Sequence, residues 1–153
     1  MSNLYTINHD GIVVATAITI LQYKSGAANK ASLVRCSISQ GLSETSTMEQ
    51  IKVLRKTAAA TVTSFTPLEN DPDGPIAFGV GGTAATGITA TAEGTDGDIL
   101  INEGFNILNG FLWVRGTRQP EEIVIPAGGI IAMKFPVAPA SATWRAQFVI
   151  EEF

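Results

Sequence analysis

The sequence predicts an all-β protein, an antiparallel β-sandwich of the jelly-roll type with about eight strands. Three observations carry that expectation. The last third, Phe105 to Phe153, alternates apolar and polar residues with the two-residue period of a strand. Gly, Pro, Ser, Asn and Asp cluster between the apolar runs, as turn residues do. No stretch shows the longer period of an amphipathic helix, and Val, Ile, Thr and Phe dominate the runs.

Met1 to Asp10 is a polar lead-in with Leu4, Tyr5 and Ile7 embedded in it. It reads as an N-terminal arm that orders on a partner, leaving residues 11–153 as one domain. Gly11 to Lys24 reads as the first long strand, with Ile18 and Ile20 on one face and Leu21 and Tyr23 on the other. Ser25 to Lys30 is a turn and Ala31 to Gln40 the next strand, followed by the polar loop Gly41 to Thr47. Glu49 to Lys56 alternates again. Thr57 to Phe65 is ambiguous, because three alanines favour a helical turn and Thr61-Val-Thr63 a strand. Leu68 to Pro75 is a sharp polar loop, and Ala77 to Gly87 has little to hold it locally. Gly87 to Glu93 reads as a strand, Gly94 to Asp98 as a turn, and Ile99 to Ile101 as a short strand.

Phe105 to Gly116 differs from the other runs. Phe105, Ile107, Phe111 and Trp113 fall on one face, and Leu108, Leu112 and Val114 on the other. A strand apolar on both faces needs cover on both, so Phe111, Leu112, Trp113 and Val114 are the candidate subunit interface. Glu121 to Phe135 must turn at Pro126-Ala-Gly-Gly129, since Pro lacks a donor and Gly accepts positive φ. In the final run Trp144, Ala146, Phe148 and Ile150 point to a core, while Arg145, Gln147 and Glu151 point to water.

The chain has 153 residues, which suits one domain, and no internal repeat or linker interrupts it. Only 16% of residues are charged, and mean hydropathy is +0.22. A surface so poor in charge favours association, so an oligomer or docked subunit is expected. The net charge of −4 and the lack of a Lys/Arg cluster argue against nucleic acid as a partner. No run reaches the ~18 apolar residues of a membrane span, and Ile12 to Leu21 follows His9 and Asp10 rather than a basic segment, so it reads as a strand, not a signal peptide. Folding in a cytoplasm is expected.

Candidate chemistry is sparse. Cys36 shares a face with Val34 and Ile38 and reads as a small buried hydrophobe. His9 is the one histidine, far in sequence from any nucleophile, and a single histidine cannot build a cupin metal site. Asn70 to Gly74, and Asp96-Gly-Asp98 with Glu93 nearby, lack the ligand spacing of a calcium loop and read as turns. Gly79-Val-Gly-Gly82 has no GK[ST] and reads as a plain loop. The pairs Glu121-Glu122 and Glu151-Glu152 read as solvated sheet edges rather than a general acid and base. Trp144 belongs to a core, whereas Trp113 suits a core or an interface better than a sugar platform. No cofactor, no metal and no enzymatic activity are expected.

Several segments carry a resemblance. They are Gly104 to Trp113, Ile123 to Gly128, Ala138 to Ala146 and the closing Glu151-Glu-Phe153, with Ile51 to Ala60 and Thr63 to Pro67 upstream. Together they resemble the small head decoration, or cement, proteins of tailed bacteriophages, over most of Leu21 to Phe153. The resemblance implies a compact jelly roll, commonly a homotrimer, seated on the outer surface of the virion's expanded capsid. Its partners would be the major capsid protein and itself, and its work would be mechanical. It brings no catalytic residues. On this reading Leu4, Tyr5 and Ile7 form a capsid-contacting arm. A glycan-binding jelly roll of the lectin or fibre type is the alternative, and a secreted trimeric ligand of the tumour-necrosis-factor type shares the architecture.

Overall fold

The structure, a computed structural model, describes residues 3–41, 45–71, 85–117 and 121–153. The Gly79–Gly82 loop and the end of the Asn70–Gly74 turn lie outside the described residues. The described residues form twelve strands and no α-helix: β1 (Asn3–Val14), β2 (Ile18–Lys24), β3 (Ala31–Gly41), β4 (Met48–Ala58), β5 (Thr61–Ser64), β6 (Leu68–Glu69), β7 (Gly87–Ala92), β8 (Thr95–Asn106), β9 (Phe111–Val114), β10 (Ile123–Ile125), β11 (Ile130–Phe135) and β12 (Ala142–Glu152).

They make two antiparallel sheets packed as a sandwich. One sheet runs β10-β3-β12-β1-β6, and the other β5-β7-β2-β11-β4-β8. In the first sheet β12 takes one side of β3, and β10 and β9 share the other, β10 against Ala31–Leu33 and β9 against Arg35–Ile38. Four strands of each sheet, β1-β12-β3-β9 and β2-β11-β4-β8, make the two layers, and β5, β6, β7 and β10 extend them. These four additions take the number of strands beyond the eight or so expected; β7 was readable as a strand, whereas β5, β6 and β10, with two to four residues each, are too short to show periodicity.

The N-terminal arm is the main correction. Leu4, Tyr5 and Ile7 lie in β1, which pairs with β12 from Asn3↔Glu152 to Val14↔Ala142 and with β6 on its other side. Tyr5 and Ile7 are fully buried between the sheets, while Leu4 faces outward and is partly exposed. Alternation was present in the lead-in, but the strand that covers it comes from the far end of the chain. The long strand expected from Gly11 to Lys24 is also two. β1 carries a bulge at Asp10/Ile12, with Gly11 at φ 79°, and the chain changes sheets between Val14 and Ile18. A bulge bends the strand and deepens its twist, which aims the chain toward the opposite sheet.

The last third follows its pattern closely. Trp144, Ala146, Phe148 and Ile150 of β12 face the core, and Arg145, Gln147 and Glu151 face out. The turn at Pro126–Gly129 forms, with Gly128 at φ 70° and the Gly129 N–H donating to the Pro126 carbonyl. Trp144 anchors the core: its ring meets Phe135 at 4.9 Å and Phe105 edge-on at 6.0 Å, and its indole N–H donates to the Ala140 carbonyl. Aromatic rings arranged edge to face add stabilisation beyond their buried area.

The Phe105–Gly116 run is not one strand. β8 ends at Asn106, a turn spans Ile107 to Gly110, and β9 begins at Phe111 in the other sheet. Gly110 sits at φ 69°, and its N–H and that of Asn109 both donate to the Asn106 carbonyl. Asn-Gly was the turn signal to read here, since both residues tolerate left-handed backbone. Conversely, the turn expected at Gly94 to Asp98 is short, and β8 starts at Thr95.

Candidate docking surface

The two faces predicted for the Phe105–Val114 run exist, although a turn divides them. Phe105 and Ile107 are buried, and Phe111 and Trp113 pack against the core and remain half-buried. The Phe111 ring lies 6.5 Å from Phe105, so β9 is rooted on the far end of β8. On the outward face Leu108, Leu112 and Val114 are 50%, 62% and 55% exposed. Alternation in β9 therefore seats one pair of side chains inside and leaves Leu112 and Val114 in water. Among the described residues β9 pairs with β3 alone, so its other edge carries unpaired backbone groups.

The edge strand of the opposite sheet makes a contrast. β8 is twelve residues long and pairs only with β4, yet its ladder shifts register three times between Val53 and Ala58. Asp98 and Glu103 are exposed along it. Bulges and charges on an edge discourage pairing with another chain. β9 has neither device, and exposed apolar side chains stand on it.

The outer face of the β9 sheet continues as a polar strip. Gln147 on β12 accepts from Arg35 on β3 and donates to Asn8 on β1 at 2.8 Å, which links three strands. Beside it Asn8, Asp10, Ser37, Ser39, Arg145 and Gln147 line an open depression of about 340 Å³. Arg115, just after β9, donates to Ser32 at 2.7 Å and pairs with Glu151 at 2.6 Å and Glu122 at 3.4 Å. These bonds fix the strip's shape. Glu122 and Glu151 thus serve one guanidinium, whereas Glu152 is buried on the inner face, where it contributes with burial to raising the Tyr23 phenol's pKa.

A second charged group lies on the outer face of the other sheet. Lys56 Nζ is 2.8 Å from Asp96 and 3.2 Å from Glu93, and Lys134 Nζ is 2.8 Å and 3.3 Å from the same two carboxylates. The Thr19 N–H and hydroxyl also donate to Glu93, at 2.6 and 2.8 Å. Burial opposes ionisation of Glu93, but Thr19 and Lys56 outweigh it and hold the carboxyl below its usual range. For Asp96 burial is likewise outweighed, by Lys134 and Lys56. The same carboxylates overcome burial at Lys134 and raise its pKa. Glu93 and Asp96 are thereby occupied by lysines. Among the described residues no group of three or more His, Cys, Asp or Glu side chains is placed to hold a metal ion.

Cys36 is buried on β3, and burial pushes its thiol up to about 12. At that value almost no thiolate exists at neutral pH, so the residue packs and does not react. His9 is buried on the inner face of β1 with Nε2 2.8 Å from the Thr89 hydroxyl.

No protein-family model, curated protein or solved structure matches this chain. Its function therefore has to be argued from the arrangement itself.

Phe111, Leu112, Trp113 and Val114 were expected together as one interface, but Phe111 and Trp113 pack on the core and only Leu112 and Val114 face outward, and both charged groups were missed. Lys56 looked like one more outward strand residue, and no local signal shows that Glu93 and Asp96 fold back over it. The same holds for Arg115, whose partners lie on β3, on β12 and just before β10.

Proposed function

We propose that this protein is a structural docking subunit, of the capsid-decoration kind, that associates through the β9 margin of its sandwich. The carrying observation is that Leu112 and Val114 stand out in water on an unguarded edge strand whose other side chains are anchored in the core. The strand order supports the architecture such a role uses. β1-β12-β3-β9 faces β2-β11-β4-β8, and every successive pair of these eight except β4–β8 crosses between sheets, which reads as a jelly roll.

The energetics favour many weak contacts over one strong one. Burying what remains exposed of Leu112 and Val114 contributes roughly 2–3 kcal/mol per subunit. A micromolar complex needs about 8 kcal/mol. The margin alone is too small to hold an isolated pair, so the role fits a second copy in a trimer together with repeated seats on a shell, where avidity multiplies modest contacts. The major capsid protein of a phage virion is the partner this reading assigns to the outside of that trimer.

The glycan-binding alternative has less support. Trp144 is buried, and Trp113 packs its ring toward the core on the face opposite Leu112 and Val114. An aromatic platform for a sugar needs a free ring face beside converging polar groups.

The test is a double variant, Leu112→Thr with Val114→Thr, which keeps β-branched or polar strand residues and removes the apolar face. The wild type should co-sediment with expanded capsid shells, where avidity adds up, and the variant should lose most of that association. Surface changes of this kind alter stability by less than about 0.5 kcal/mol, so the melting temperature should hold. Unchanged shell binding in the folded variant would overturn the reading.

A further inference from the structure

His9 and Thr89 meet at a strained point, independent of the docking margin. Thr89 has φ 48°, the one positive value among the described non-glycine residues. Left-handed backbone is uncommon for any residue and a true outlier for a β-branched one. The β5–β7 ladder steps from Val62↔Ala90 to Thr63↔Ile88 and so skips Thr89. On its other side, among the described residues, β7 is laddered to β2 only at Leu21↔Ile88 and Gln22↔Gly87, with Thr86–Lys24 and Glu93–Thr19 bonds at its two flanks. Thr89 is thus a bulge inside the β5–β7 ladder and lies beyond the end of the β2–β7 ladder. Its hydroxyl crosses the gap between the sheets to His9.

His9 is poorly placed to carry charge. It is 6% exposed, and its buried Nδ1 has no hydrogen-bond partner beyond the residue's own backbone. Neutral imidazole leaves one nitrogen to share a proton with Thr89, whereas imidazolium must donate from both. From β7 the ring meets a hydroxyl and no charged group. On β12, Arg145 lies across the sheet with Asp10, on the outer face. Asp10 is the one carboxylate that favours imidazolium, and its side chain is 96% exposed and solvated. Burial outweighs both the ring's bond to its own backbone and Asp10, so the His9 pKa is lowered.

We propose that the His9–Thr89 contact is an acid-sensitive latch: protonation of His9 releases the bulged strand β7, with β5, from β1. Opening lets the imidazolium reach water and lets Thr89 relax its backbone. The sign follows from linkage. The opened state takes a proton near the ordinary value of 6.5, and the closed state does so only at lower pH. Opening therefore becomes easier as pH falls below 6.5 and levels off beneath the closed-state pKa.

The chain's one histidine makes the test direct. The ring of His9 is titrated by NMR in the native protein, and amide exchange of Gly87–Ala92 is followed at pH 7.5 and pH 5, corrected for the intrinsic rate. The ring should titrate below 6.5. Corrected exchange in β7 should rise by about tenfold, with a ceiling of roughly thirtyfold if the closed state takes no proton at pH 5. β3 and β12 should not change, and His9→Gln, which can still bond Thr89, should remove the pH response. A ring titrating at 6.5 or above overturns the latch. So does an equal acceleration in His9→Gln, or one spread evenly through β3 and β12.

Discussion

Removing Lys56 should harm this protein less than removing the carboxylates that surround it. The Lys56 side chain has 0% exposure, whereas Glu93 and Asp96 keep 31% and 38%. In Lys56→Met the two carboxylates retain Lys134 and contact with water, and a methionine of similar length fills the space. The lost charge-assisted bonds are largely offset by no longer burying an ammonium, so the variant should lose about 1 kcal/mol. Glu93→Gln with Asp96→Asn instead leaves a buried ammonium with no counter-charge, which costs about 3–5 kcal/mol. For a chain of this size each kcal/mol moves the melting temperature by ~2–4 °C. Calorimetry should then show a drop of roughly 3 °C for Lys56→Met and of about 6–20 °C for the double variant. Adding Lys56→Met to the double variant should restore most of the loss, because the stranded charge is gone. If the three substitutions simply add, Lys56 is not held by these carboxylates and the account of the outer face is wrong.

The same group sets an acid limit. Glu93 and Asp96 are held below their ordinary values of 4.5 and 3.8, so they bind fewer protons folded than unfolded near those pH values. Their contribution is complete above that range and drains away as pH falls through the lower folded values. Wild-type stability should decline steeply below pH 4.5, and the triple variant, measured by urea unfolding, should show a shallower decline. The left-handed glycines should separate by space. At Gly128, φ 70°, an added Cβ meets nothing within 4 Å, so Gly128→Ala should lose only the backbone term of about 1–2 kcal/mol. At Gly110, φ 69°, the Cβ would lie 2.7 Å from the Ile38 carbonyl, so Gly110→Ala should lose more and loosen β9. Equal melting temperatures for the two variants would remove that distinction.

Periodicity was readable in some of the long strands, but not in β1, taken for an arm, nor in most of β8, whose ladder is broken by register shifts. β12 and β4 were visible in this way, since Trp144, Phe148, Ile51 and Val53 each sit two or four residues from the next core side chain. β2 was harder, because Ile20, Leu21, Gln22 and Tyr23 are all buried. Gln22 explains why. It donates to the Ala60 and Ala85 carbonyls and accepts from the Ala60 N–H, so the chain folds over the outer face there. A glutamine in a strand gives no hint that backbone from ~40 and ~60 residues away will satisfy it.

The order of side chains along the chain was enough to determine an all-β protein, the turns at Pro126–Gly129, the core face of the last strand, and the apolar outward residues Leu112 and Val114. These depend on alternation and turn chemistry, which act over a few neighbouring residues. Tertiary structure decided that Tyr5 and Ile7 are core rather than arm, because β12 supplies the wall against them. It also decided that Glu93 and Asp96 neutralise Lys56, and that His9 meets a strained Thr89. Each of these joins residues about 40 to 150 positions apart, and such pairings are set by how the sheets close on one another.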